Sequence, residues 1–208
     1  MNTSRFNVDN SSLKVGCIVM AAGLSSRFQS NKLLAELDGA SLARRALNAV
    51  PADKLDKVVV VTCYPELRAL AEGMGFFTVW NNRPEAGISF TIRLGLEGLQ
   101  NMDAAMFMVC DQPLLTRASV SSAVELYRKN PHCIVGLSFD GKRGNPCIFP
   151  SAYFPELRAL SGDMGGSAVI RKNEASLLLC EAADESELKD VDYPPDLDES
   201  HSLPTRNP

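Results

Sequence analysis

Apolar runs of strand length alternate with amphipathic segments of helical spacing along the first two thirds of this chain. Continuous apolar runs predict buried strands at Val15–Ala21, Lys57–Thr62, 76–80 and Ala104–Val109. Apolar residues three or four positions apart predict helices at 42–50, 65–75, 88–99 and Arg117–Lys129. This alternation predicts the α/β class, as a three-layer α/β/α sandwich around a Rossmann-like, mostly parallel sheet.

The last third of the chain departs from this alternation. The run Ile134–Phe139 and the run 147–149 lie on either side of the dipeptide Asp140-Gly141. An Asp-Gly turn between two apolar runs is typical of a β-hairpin, so we expect a local antiparallel pair in the sheet. Two further helices and a strand are predicted at 153–160, Ser167–Lys172 and 177–180.

Length and composition favour one domain with a well-buried core. The chain has 208 residues, of which 45% are hydrophobic and 22% charged. We expect a single domain over residues 14–198, a poorly ordered tail at 1–13 and a polar tail at 199–208.

Charge and hydropathy exclude several classes of partner. The formal net charge is −4, and neither a basic stripe nor a polybasic arm is present, so no nucleic acid partner is expected. No run reaches the roughly 20 apolar residues of a membrane span, and the polar first dozen residues lack the apolar stretch of a secretory signal. We therefore expect a cytoplasmic protein without a membrane partner.

The cysteines indicate buried thiols. Six are scattered along the chain without a Cys-x-x-Cys pair, and several fall inside predicted strands. A zinc site requires clustered ligands, and His132 and His201 are the only histidines. Reduced core cysteines are the favoured interpretation over a zinc site or a reactive thiol.

The turn after the first strand carries the first candidate chemistry. Gly23 lets the backbone approach a ligand, Ser25 and its neighbouring serine add hydroxyls, and Arg27 and Lys32 add positive charge suited to phosphate oxygens. Neither Gly-x4-Gly-Lys-Ser/Thr nor Gly-x-Gly-x-x-Gly is present, which excludes a Walker ATPase and an ordinary dinucleotide fold. The alternative is a solvated turn with no ligand.

An acidic residue follows another predicted strand. Asp111 comes directly after the apolar run that ends at Cys110, where a carboxylate can hold Mg²⁺ against phosphate oxygens. An aspartate two positions before a proline, here Pro113, is also an ordinary turn former. Open parallel sheets bind ligands beyond the carboxyl ends of their strands, so we expect Asp111 and the Gly23 turn to converge on one site.

Two polar helix starts add weaker candidates. Ser89 and Thr91 lie in the first turn of a predicted helix, where free N–H groups favour anions, and Asp163 lies in a glycine-rich segment before another helix. Each of these positions could equally be a simple helix cap. No Gly-x-Ser-x-Gly elbow is present, and His132 follows a proline in a loop. Attack by a phosphate, which needs alignment and charge neutralisation rather than a general base, fits this inventory.

Seven segments then resemble one known family in register. They are residues 20–27, 31–34, 87–96, 110–115, 144–149, 162–165 and 190–197. Together they resemble the molybdenum cofactor nucleotidyltransferases of the cytidylyltransferase type, within the wider MobA-like NTP transferase group. The resemblance implies the fold of the nucleotide-diphospho-sugar transferases.

It also implies a reaction and a set of roles. The terminal phosphate of molybdopterin would attack the α-phosphorus of CTP and release pyrophosphate, with Mg²⁺ required. The nucleotide-binding residues would be Ala21, Ala22, Gly23, Ser25, Arg27, Lys32, Ser89, Thr91 and Asp111. Arg27, Lys32 and Asp111 would be catalytic, and Asp111 would share the metal with Asp163. A molybdoenzyme or a cofactor-insertion chaperone would receive the product.

The chain departs from the patterns of its relatives at three places. Asn31 stands where guanylyl relatives more often have proline, and the turn has Ala21-Ala22-Gly23 rather than Ala-Gly-Gly, which both favour CTP over GTP. Gly166-Ser167 replaces a frequent Ala-Arg, which puts a basic contact there in doubt. The alternatives are guanylyl or other NMP transfer, a different phosphorylated acceptor such as a sugar phosphate or methylerythritol phosphate, and a non-catalytic carrier or assembly factor for the cofactor.

Overall fold

A computed structural model describes residues 13–24 and 31–191. Within these ranges, one seven-stranded sheet has the order β5-β4-β1-β6-β8-β7-β9. Its strands are β1 Val15–Ala21, β4 Lys57–Thr62, β5 Phe77–Trp80, β6 Ala104–Val109, β7 Ile134–Phe139, β8 Lys142–Pro150 and β9 Leu177–Glu181. Two short strands, β2 Glu36–Leu37 and β3 Ala40–Ser41, form a separate antiparallel pair.

Only β8 runs against the other strands of this sheet. β1 pairs in parallel with β4 and β6, β4 with β5, and β7 with β9, whereas β8 is antiparallel to both β6 and β7. The predicted α/β class and mostly parallel sheet are confirmed, and so is the local hairpin. The second hairpin strand is longer than predicted, because it begins at Lys142 rather than at Cys147.

Six helices cover the two faces of the sheet in the described residues. They are α1 Leu42–Asn48, α2 Pro65–Gly73, α3 Ile88–Gly98, α4 Arg117–Lys129, α5 Phe154–Arg158 and α6 Ser167–Lys172. Apolar residues of α1, α2 and α4 pack in one core cluster with one face of the sheet, and those of α3, α5 and α6 pack in a second cluster with the other face. The chain therefore has the three layers that the alternation predicts.

Strand β1 shows why this sheet is buried on both sides. Val19 and Cys17 belong to the first core cluster, whereas Ile18 belongs to the second, as the alternating directions of strand side chains require. Six of its seven residues are buried. In the described ranges, no helix is long and apolar enough to cross a bilayer.

The strand order creates a crevice at the carboxyl ends of β1 and β6. The chain passes from β1 outward to β4 and β5, and then returns across the sheet through α3 to β6, on the other side of β1. Loops that follow strands on either side of such a reversal diverge and leave space between them. Residues 22–24 directly follow β1, and Cys110 and Asp111 directly follow β6, at these two carboxyl ends.

Candidate functional site

Lys32 and Asp111 meet at this crevice. Lys32 begins a single 3₁₀ turn, Lys32–Leu34, which Asn31 caps by accepting the Leu33 N–H at 3.1 Å. The Lys32 Nζ donates to Asp111 Oδ2 at 2.8 Å and to the carbonyl of Val191 at 3.1 Å. The Lys32 and Asp111 side chains are 15% and 23% exposed. The structure thus brings together a cation and an acid that lie 79 positions apart in the sequence.

Buried polar atoms without partners occur on Asp111 and on the chain neighbours of this ion pair. Among the described residues, Asp111 Oδ1, Asn31 Nδ2 and Gln112 Oε1 are buried and have no hydrogen-bond partner. Buried polar atoms are nearly always paired, so each exception requires an explanation. Three such atoms on consecutive or neighbouring residues of one site indicate a place where a polar ligand completes the hydrogen bonds.

A segment that the sequence analysis only partly recognised closes this site. Residues 183–191, here called the C-terminal strap, run from β9 back to Asp111. The backbone N–H of Val191 donates to the carbonyl of Asp111 at 2.8 Å. Gln112 Nε2 donates to the Leu188 carbonyl at 3.2 Å and to Asp190 Oδ1 at 2.9 Å. The strap therefore positions both the acid and the lysine.

Glu187 anchors the strap and was missed from the sequence. It is 2% exposed, and its Oε2 accepts from the N–H of Thr116 at 2.9 Å and from the Thr116 hydroxyl at 2.8 Å. Its Oε1 accepts from the Ser119 hydroxyl at 2.9 Å and from the N–H of Ala183 at 3.1 Å. The three bonds from Thr116 and Ser119 hold the strap to the start of α4, which follows Asp111, and the bond from Ala183 lies within the strap.

The predicted base and phosphate loop is described in part. Ala21 and Ala22 are buried at the end of β1, and Gly23 is exposed. The Tyr64 hydroxyl donates to the carbonyl of Gly23 at 2.7 Å, which fixes the start of the loop against the second residue after β4. Ser25 and Arg27 lie outside the described residues, and their predicted roles stay predictions.

The start of α3 lies against the glycine-rich segment before α6. Gly87 has φ +86°, and a Cβ there would come within 2.4 Å of the Gly162 carbonyl and 2.7 Å of Asp163 Oδ1. The Ser89 N–H donates to the same Gly162 carbonyl at 3.1 Å. Ser89 Oγ is buried without a partner among the described residues. Asp163 thus lies beside α3, and its metal role stays a prediction.

Thr91 has a structural partner. It is 6% exposed, and its hydroxyl oxygen accepts from Asn81 Nδ2 at 3.1 Å. Asn81 is buried and its N–H donates to the carbonyl of Thr62, so the pair joins α3 to the end of β4. A nucleotide contact by Thr91 stays a prediction beside this packing role.

A cavity of about 110 Å³ opens beside the ends of β1 and β6, on the α3 face. Met20 and Val109, which pair in register, form one wall, and aromatic and aliphatic side chains of α3, β8 and α5 form the rest. Its polar lining comes from Arg143, Asn145 and Ser167. Arg143 donates to the Ser167 hydroxyl at 2.9 Å, and it enters no ion pair within the described residues.

The cysteines are free thiols, as predicted. Four are buried, and Cys63 and Cys133 are half-buried. Burial raises the pKa of the Cys17 and Cys110 thiols strongly, and the negative charge of Asp111 raises the pKa of Cys110 further. Burial also raises the pKa of Cys63, whose thiol lies 3.8 Å from the Ala22 carbonyl.

We expect thiol labelling to separate these cysteines into two classes. A disulfide reagent at pH 8 should modify Cys63 and Cys133 in the native protein, whereas the four buried thiols should react only after unfolding, because thiolate formation there is suppressed. Mass spectrometry of labelled peptides measures this directly. Rapid native labelling of all six thiols would contradict the burial described here.

Metal binding at this site would depend on few protein ligands. No group of three or more His, Cys, Asp or Glu side chains is arranged for a metal ion in the described ranges. Mg²⁺ usually takes one or two carboxylates, several waters and substrate phosphates rather than a full protein cage. The buried, unpartnered Asp111 Oδ1 fits that pattern.

Fold and site together define an α/β nucleotidyltransferase. Residues 17–177 match the family described as the MobA-like NTP transferase domain, and the chain belongs to that family. A curated relative, the purine catabolism protein PucB of Bacillus subtilis, is 28% identical over 193 residues, which cover 87% of this chain and 93% of PucB.

Solved structures share the fold at low sequence identity. Rv0371C of Mycobacterium tuberculosis, in complex with manganese, is 19% identical with a TM-score of 0.71, covering 90% of this chain and 97% of that one. The CMP:2-keto-3-deoxy-manno-octonic acid synthetase complexed with CTP is 15% identical with a TM-score of 0.71, at the same coverage of 90% and 97%. At these identities the likeness shows the fold alone.

Proposed function

We propose that this chain transfers CMP from CTP to the terminal phosphate of molybdopterin, with release of pyrophosphate. The observation that carries the proposal is the Lys32–Asp111 pair at the crevice between β1 and β6, with unpartnered polar atoms around it. A cation for phosphate oxygens and a carboxylate for a metal are the two groups that a metal-bound triphosphate needs. The family match supports the transfer of a nucleotide.

The residues act by binding, alignment and charge neutralisation. An oxygen of the acceptor phosphate attacks the α-phosphorus of CTP, a new P–O bond forms, and the bond from the α-phosphorus to the oxygen bridging to the β-phosphate breaks. Lys32 would bind the triphosphate, and Asp111 would hold Mg²⁺. The metal supplies charge neutralisation of the phosphate oxygens when it is bound. The attacking oxygen is already anionic, so no general base is required.

A divalent metal at Asp111 is supported by chemistry and by the fold comparison. The carboxylate has one buried oxygen without a partner, and oxygen ligands are what Mg²⁺ and Mn²⁺ prefer. Rv0371C, which shares the fold, was obtained in complex with manganese. We propose Mg²⁺ as the metal in this chain, with Asp163 as a candidate second carboxylate.

The cavity next to β6 would take the acceptor. Apolar walls suit a flat ring, and Arg143 with Asn145 suits an anionic group. A cavity of about 150 Å³ holds one benzene ring, so this one fits an end of the acceptor rather than all of it. A CTP-binding neighbour supports cytidine as the base.

A screen of nucleotides tests the donor, and product analysis tests the reaction. Thermal-shift measurements with CTP, GTP, ATP and UTP, each with Mg²⁺, should show the largest stabilisation with CTP. Pyrophosphate release should then require molybdopterin. Release with a sugar phosphate or methylerythritol phosphate instead would replace the acceptor. Tight molybdopterin binding without pyrophosphate release would favour the carrier or assembly factor.

The Lys32→Ala variant tests the phosphate role. We expect about a tenfold to hundredfold weaker CTP affinity in the presence of Mg²⁺, because a charged hydrogen bond to the triphosphate is lost. Isothermal titration calorimetry with a non-hydrolysable CTP analogue measures this. The matched control is Lys54→Ala, which removes a lysine paired with Glu125 on the surface and should leave CTP affinity unchanged. Wild-type affinity in Lys32→Ala would remove this lysine from the site.

A further inference from the structure

Lys32 contacts the same carboxylate that would hold the metal. Its ammonium group donates to Asp111 Oδ2 at 2.8 Å, a short charge-assisted hydrogen bond. The Val191 carbonyl accepts from the same nitrogen at 3.1 Å and keeps it over the carboxylate. Both side chains are largely buried, so solvent screens the pair only in part.

A metal ion and this ammonium group oppose each other at Asp111. A metal on Oδ2 would have to displace the Lys32 nitrogen. A metal on the unpartnered Oδ1 would lie on the same carboxylate as the ammonium group, at a separation where like charges still repel appreciably. In either position, Lys32 lowers the affinity for a divalent metal that arrives without a counter-anion.

A triphosphate reverses this antagonism. Its oxygens offer Lys32 new anionic partners, so that the ammonium group can leave Asp111 without losing a charged contact. The metal gains both the released carboxylate and the phosphate oxygens as ligands. The triphosphate therefore raises the affinity for the metal. By thermodynamic linkage, the metal raises the affinity for the triphosphate by the same factor.

We propose that Lys32 competes with the divalent metal for Asp111, and that the triphosphate releases it. The metal and the nucleotide then bind cooperatively, and a metal ion alone is disfavoured. This inference rests on the proposed function, because it uses the metal role of Asp111. Removal of an ordinary binding residue weakens the binding of its ligands. Removal of Lys32, by contrast, should strengthen the binding of the metal alone while it weakens the binding of the nucleotide.

A titration of the full chain with Mn²⁺ in the absence of nucleotide, monitored by electron paramagnetic resonance, tests whether Lys32 competes with the metal for Asp111. We expect the Lys32→Met variant to bind Mn²⁺ alone about tenfold more tightly than the wild type, because the like charge is gone. Lys54→Met removes one positive charge at a surface ion pair and should leave Mn²⁺ affinity unchanged. The double variant Lys32→Met/Asp111→Asn should not show the tighter Mn²⁺ binding of Lys32→Met.

A second Mn²⁺ titration, in the presence of a non-hydrolysable CTP analogue, tests whether the triphosphate releases Lys32 from Asp111. The analogue should raise Mn²⁺ affinity by a larger factor in the wild type than in Lys32→Met. Mn²⁺ affinity in Lys32→Met that equals or falls below the wild-type value, without nucleotide, would overturn the competition. If Asp111→Asn leaves Mn²⁺ binding with the analogue unchanged, the proposed metal site itself is wrong. Loss of Mn²⁺ in Asp111→Asn without a gain in Lys32→Met removes this inference alone.

Discussion

Replacing Asp111 with asparagine is expected to lower metal-dependent turnover by about a hundredfold or more, with little loss of stability. The change removes the negative charge that would hold the metal but keeps the size of the side chain. Groups that stabilise transition-state charge typically contribute about a hundredfold to a thousandfold. The remaining contacts of the residue include its backbone carbonyl, which still accepts from the Val191 N–H.

The stability cost should be about 1 kcal/mol, because one charge-assisted bond from Lys32 is weakened while the Val191 carbonyl still accepts from that lysine. For a chain of this size this corresponds to roughly 2–4 °C in Tm. Asp53→Asn, which breaks a surface pair with Arg117, is the control and should retain full turnover. Unchanged pyrophosphate release by Asp111→Asn would refute the role of this carboxylate.

The largest stability effect is expected at Glu187. Substitution by alanine leaves the donors of Thr116, Ser119 and Ala183 without their acceptor in a buried place. We expect a loss of roughly 3 kcal/mol in the free energy of unfolding, since each unmet buried donor carries a penalty of about 1 kcal/mol or more. Urea unfolding followed by circular dichroism measures it.

Loss of the Glu187 anchor should also disturb the candidate site around Lys32 and Asp111. The C-terminal strap would no longer be fixed to α4, so the Val191 contacts with Lys32 and Asp111 would loosen. KM for CTP should rise in Glu187→Ala at a temperature where the variant is still folded. The neighbouring exposed Glu185→Ala is the control and should match the wild type in both measurements. A wild-type unfolding free energy in Glu187→Ala would contradict the anchoring role.

Much of the fold could be predicted because its central elements are buried by simple rules. Strands β1, β4 and β6 begin and end at the predicted residues, since a parallel strand covered on both faces is a continuous apolar run. Helix α4 also matches its predicted bounds, with Thr116 as the cap that accepts from the Ser119 N–H.

Elements without such a pattern were missed or shortened. Strand β8 begins in the polar stretch from Lys142 to Asn145, which has no apolar alternation, and tertiary pairing with β7 makes it a strand. The β2–β3 pair is too short for a periodic signal. Its turn residues Asp38 and Gly39 both have positive φ, which an Asp-Gly dipeptide favours, so the dipeptide was the signal that could have revealed it.

The site was predictable where the chain order and the sheet decide it. Lys32 and Asp111 follow strands that lie side by side, so their meeting follows from the topology. Glu187 lies in an acidic stretch of the sequence that is typical of a solvated surface. Its partners Thr116 and Ser119 lie 71 and 68 positions away in the sequence. No local pattern encodes such a contact.

A crystal structure of the chain soaked with CTP and Mg²⁺ tests the central claim most directly. We expect the metal at about 2.1 Å from an Asp111 carboxylate oxygen, and a triphosphate oxygen within hydrogen-bond distance of the Lys32 Nζ. A nucleotide bound elsewhere, with Lys32 and Asp111 still paired to each other and touching neither metal nor phosphate, would contradict it.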